Sequence, residues 1–104
     1  MIKSVKVLGI NVPIVEQTFR EFPEMLNAYG YFDAQHERII LASHNNHDRK
    51  RECTLHEILH ALEKATETPL EEAQVGRIAR GLFAVLRDNP EYVAWLMETE
   101  ESGG

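Results

Sequence analysis

The chain has one cysteine, Cys53, in 104 residues. An intramolecular disulfide is therefore excluded, and a reducing compartment is the simpler home. No apolar run is long enough to span a bilayer. The N-terminus, Met1-Ile2-Lys3-Ser4-Val5-Lys6, alternates lysine with apolar residues and lacks the long apolar core of a signal peptide. A cytoplasmic location is expected. Positive charge is in deficit, with 11 Lys and Arg against 17 Asp and Glu and a formal net charge of −6. Overall electrostatics therefore gives no support to a nucleic-acid partner. The single basic run, Arg49-Lys50-Arg51, is expected on the solvated face of a helix. Repeats, low-complexity tracts and interdomain linkers are also missing. The length suits one domain over residues 1–104, with 101–104 frayed. A hydrophobic content of 43% is ordinary for a globular protein and argues against disorder.

What the chain does have is His56-Glu57-Ile58-Leu59-His60, an H-E-x-x-H motif. Residues i and i+4 share one helix face, so the two imidazoles can converge on one ion. Zinc takes imidazole nitrogen readily and keeps an open position for water in catalytic sites. Glu57 can reach that water and serve as general base. Leu55, Ile58, Leu59 and Leu62 form an apolar stripe at helical spacing, with His56 and His60 at its edge. The bland alternative is a pair of surface histidines.

The rest of the sequence predicts the elements around this helix. Residues 2–8 and 12–15 read as strands joined by a hairpin near Gly9-Ile10-Asn11, with Pro13 demanding an edge or an end. Phe19, Phe22, Met25 and Leu26 have helical spacing broken by Pro23, which predicts a short or broken helix over 17–28. Tyr31–Phe32 and Ile39–Leu41 read as a second hairpin around a turn at 33–36. The edge strand beside the motif helix is a candidate for pairing with a peptide main chain. His44 and His47 fall in a polar connector, as solvated side chains or as further donors. Asn46 or Asp48 can cap the helix, which is expected to run to about residue 64 or 65. Cys53 reads as a small packing residue. Thr68-Pro69-Leu70-Glu71 reads as a capping box, with Thr68 as N-cap of the next helix. Asn89-Pro90 opens a last short helix. The expected fold class is α+β, a small antiparallel sheet packed with two main helices.

Two histidines do not complete a zinc site. The longer pattern H-E-x-x-H-x-x-G-x-x-H would need Gly and His where the chain has Glu63 and Thr66. A carboxylate from the next helix remains, with Glu71 and Glu72 as candidates. Glu71 has a capping role available, whereas Glu72 lies one turn before Val75 on the inward side. Glu72 is favoured, with Glu71 kept open. Glu63 and Glu67 share or closely follow the motif helix and are expected to face solvent.

Over about residues 29–97 the chain resembles the ImmA/IrrE-type zinc metallopeptidases, particularly their short phage- and prophage-encoded members. The resemblance rests on Tyr29-Gly30-Tyr31-Phe32-Asp33, Ile39-Ile40-Leu41, Thr54-Leu55-His56-Glu57-Ile58-Leu59-His60-Ala61, Glu72-Ala73-Gln74-Val75 and Asp88-Asn89-Pro90. It implies a minimal zincin-like fold of gluzincin type, with His56, His60 and Glu72 on Zn2+ and Glu57 activating water. Larger members cleave repressors or other regulators; the added sensor or DNA-binding domain of those members is not expected here. The leading expectation is a zinc metallopeptidase acting on a protein or peptide substrate, with Tyr29, Tyr31, His44 or His47 as oxyanion donors. The alternatives are a non-catalytic interaction module with a structural or vestigial zinc site, and a metal-free helical protein with a chance motif.

Overall fold

The computed structural model describes residues 1–18, 20–21 and 29–99. Four strands come first: β1 (Ser4–Val7), β2 (Ile10–Gln17), β3 (Gly30–Asp33) and β4 (Arg38–Ala42). Three helices follow: α1 (His47–Thr66), α2 (Glu72–Asp88) and α3 (Pro90–Leu96). The fold is α+β. The expected helix over 17–28 gives way to β2 at its first residue, and Phe19, Phe22, Met25 and Leu26 lie outside the described residues, as do 101–104.

The sheet is mixed, not purely antiparallel. Its order is β1-β2-β4-β3, with antiparallel hairpins β1–β2 and β3–β4 joined by a parallel β2–β4 ladder in the register Ile14↔Ile39 to Gln17↔Ala42. The reason lies in β4. Ile39, Ile40, Leu41 and Ala42 are all at most 1% exposed, so both faces of the strand are covered. A continuous apolar strand wants a neighbour on each side. Its hairpin partner β3 supplies one and β2 supplies the other, which leaves β3 at the outer edge.

Pro13 fits this arrangement although β2 is central. The amide of Ile14 donates to Lys3 O at 2.8 Å, toward β1. Alternation then aims position 13 toward β4, and that ladder begins only at Ile14. The missing N–H of Pro13 leaves no gap. The first hairpin turns one residue earlier than expected, at Leu8 (φ 49°) and Gly9 (φ 85°), with Val7↔Ile10 as its last pair. Two positive φ angles make a tight turn whose twist suits a hairpin.

Helix α1 lies across the sheet. Asn46 is its N-cap, and its Oδ1 accepts from the Arg49 amide at 2.8 Å. The buried positions are Cys53, Glu57 and Ala61, one turn apart. The expected stripe is thus displaced: Ile58 and Leu62 pack against the core from its flank, and Leu55 and Leu59 are half-buried. Small side chains at 53 and 61 let the helix sit close to Val7, Val12, Ile14, Ile39 and Leu41. Cys53 is the small packing residue expected. The basic run is only partly solvated. Arg49 stacks on Tyr29, 4.1 Å from its ring centre, and Lys50 pairs with Glu16 while only 17% exposed.

Helix α2 packs on α1 through Val75 and Ala79. Arg87 Nη2, 2.9 Å from Asp48 Oδ1, ties its far end to the start of α1.

Candidate metal centre

A cleft of about 840 Å3 opens between β3, α1 and the start of α2. His56, Glu57, His60 and Glu72 all line it, together with Tyr29, Gly30 and Tyr31. His44 and His47 do not. His47 is the first residue of α1, nine residues before His56, which is about 13 Å along a helix axis. Of the four oxyanion candidates, only the two tyrosines reach the cleft wall.

The imidazoles of His56 and His60 lie with ring centroids 5.1 Å apart, each about one quarter exposed. Both present Nε2 to the same carboxylate. Glu72 Oε1 is 2.8 Å from His56 Nε2, and Glu72 Oε2 is 2.9 Å from His60 Nε2. Glu71 takes a different part: it is the N-cap of α2, and its amide donates to Gln74 Oε1 at 2.9 Å. The helix therefore starts at Glu72, three residues later than the Thr68 capping box predicts.

Glu63 explains the delay. It does not face solvent, being 18% exposed. Its Oε2 accepts the Leu70 amide at 2.9 Å and its Oε1 lies 2.7 Å from His60 Nδ1. With Leu70 held to α1, and Glu67 in the left-handed region (φ 52°) closing that helix, residues 67–71 form a turn and cannot extend α2. These bonds hold the Glu63 carboxyl below the usual range, the Leu70 amide contributing most. Sequence reasoning missed Glu63; its i+3 spacing from His60 was the available signal.

Glu57 sits deeper in the same cleft. It is 5% exposed, beneath the edge of β3, where the Phe32 amide donates to its carboxylate. Gly30 explains how the carboxylate fits: a Cβ there would lie 3.4 Å from Glu57 Oε2 and 3.3 Å from Ile40 O and Leu41 Cδ2. Burial pushes the Glu57 carboxyl up to about 7, against the opposing pull of His56 and His60; Glu72 adds to the rise.

His56, Glu57 and His60 each offer a donor atom within 4.8 Å of the others, a group that can hold a metal ion. Glu72 adds a second carboxylate to the same pair of imidazoles. The two acids are not equivalent. Glu57 is held against β3 by a backbone amide, whereas Glu72 already faces both Nε2 atoms from an exposed position. Two imidazoles and a carboxylate make a donor set suited to a borderline divalent ion. The Glu63 contact adds the outer partner that metal-binding histidines commonly have. No protein-family model, curated protein or solved structure matches the chain.

Proposed function

We propose that His56, His60 and Glu72 hold a zinc-type divalent ion and that the cleft hydrolyses a peptide bond. One observation carries this reading: both Nε2 atoms converge on Glu72 in an open cleft, with a second, buried carboxylate beside them. When bound, such an ion polarises a carbonyl and makes water more acidic. Glu57 takes the proton of the attacking water and passes it to the amide nitrogen as the C–N bond breaks. Burial and the Phe32 amide fix where that proton is held. Tyr29 and Tyr31, on the cleft wall, are the candidates for steadying the carbonyl oxygen. The order of hairpin, motif helix and carboxylate helix supports a zincin-like arrangement and the resemblance to ImmA/IrrE-type metallopeptidases.

The test is metal content by mass spectrometry on protein purified without chelator or tag. About one zinc per chain is expected in the parent and none in His56→Ala. Glu57→Gln should keep the metal and produce no new termini in a mixed-peptide library that the parent cleaves. An absence of metal in the parent after zinc is offered would sink the reading. A second reading, a non-catalytic interaction module, draws on the exposed Ile78, Leu82, Val85, Tyr92 and Trp95 of α2 and α3. It predicts that Glu57→Gln leaves function unchanged.

A further inference from the structure

The geometry points to Glu63 as the positioning residue of the centre: it fixes the His60 proton on Nδ1 and, through the same carboxylate, anchors the turn that delivers Glu72. Its metal-binding half rests on the reading above.

A neutral imidazole has one N–H, and His60 has two carboxylates competing for it. Glu63 Oε1 lies 2.7 Å from Nδ1, and Glu72 Oε2 lies 2.9 Å from Nε2. The two acceptors differ in setting. Glu63 is 18% exposed and Glu72 is 71% exposed, so water competes far less for Glu63. Glu63 is also pre-aimed, because its other oxygen is occupied by the Leu70 amide at 2.9 Å. A less solvated, fixed carboxylate is the better acceptor. A single proton is therefore placed on Nδ1, which leaves the Nε2 lone pair and Glu72 Oε2 for a cation held between them, as ligation requires. Leu70 stands two residues before Glu72, so the bond that steadies Glu63 also sets where α2 begins. Glu63 lines the cleft, but its two carboxylate oxygens are taken by His60 and the Leu70 amide. It acts through His60 and Glu72.

Glu63→Gln separates the tautomer from the turn. The Gln oxygen can still accept from Leu70, but its NH2 can only donate to Nδ1, which drives the proton to Nε2. The experiment is long-range 1H–15N NMR of the imidazoles in metal-free protein at alkaline pH, read on the neutral ring. The parent is expected to show His60 protonated on Nδ1, and Glu63→Gln on Nε2. Zn2+ titrated against a chromophoric chelator should bind about 10- to 100-fold more weakly to Glu63→Gln. A purely structural Glu63 would leave the tautomer unchanged. Glu63→Ala, which loses both bonds, should weaken zinc binding at least as much.

A parent proton on Nε2, or an unchanged tautomer in Glu63→Gln, overturns the positioning role. Inversion of the tautomer with unchanged zinc affinity overturns its link to the metal. If the parent binds no zinc, the metal-centre reading fails, and the NMR result still decides the role toward His60.

Discussion

Glu57 occupies a position where a helix facing a sheet normally places an apolar side chain, and that conflict gives it a measurable signature. Its carboxyl is lifted to about 7 from the ordinary 4.5 of a glutamate, first by burial. The metal-free folded chain thus retains a proton that the unfolded chain loses between those values. Stability from this group is full below the unfolded pKa and falls as pH rises through the folded one, by about 3 kcal/mol in all. Urea unfolding in chelator at both ends of that window should show the slope, and Glu57→Gln should flatten it. Cys53, one turn earlier, shows the same effect of burial. Its thiol is raised to about 11, first by desolvation and then by the Glu57 charge. A thiol reagent at neutral pH should therefore modify it slowly in the folded chain and fast in denaturant.

Within single elements, the turns and the edge strand carry the sharpest expectations. Leu8 sits at φ 49° beside Gly9, in a turn that favours Asn-Gly. Leu8→Asn should stabilise the chain by about 0.5–1 kcal/mol in denaturant titration, since Leu8 is 66% exposed and packs little. Gly30→Ala should do the reverse. The added methyl would press on Ile40 O, Leu41 and the Glu57 carboxylate, and a loss of about 1–2 kcal/mol together with a poorer site is expected. Most of the elements were legible because their signals are local. The Asn46 cap, the apolar run at 39–42 and Asn89-Pro90 each mark an end or a strand within a few residues. The start of α2 was not, because a side chain of α1 decides it: Glu63 removes the Leu70 amide from the helix that Thr68 would otherwise open. The helix face at 53, 57 and 61 was also hidden, since its centre is a cysteine, a glutamate and an alanine and not the leucines beside them.

For the whole molecule, the metal is expected to act as a clasp. His56 and His60 belong to α1 and Glu72 to α2, so an ion held by all three favours the native state alone. Zinc at about 100 times its Kd should add about 2.7 kcal/mol, read as a higher thermal midpoint that EDTA reverses and His56→Ala abolishes. The mixed sheet was the largest feature that sequence did not give, because two hairpins written one after the other say nothing of how they dock. That docking has a consequence in time. The hairpins close locally, but Ile14↔Ile39 joins residues 25 apart, 39 less 14, and such contacts form late. The imidazole pair is written within one turn of a single helix and forms with α1. The wall that encloses Glu57 is built by Gly30 and Phe32 of β3, in the half of the sheet nearest α1 in sequence. The candidate site is therefore expected to assemble before the first hairpin joins the sheet.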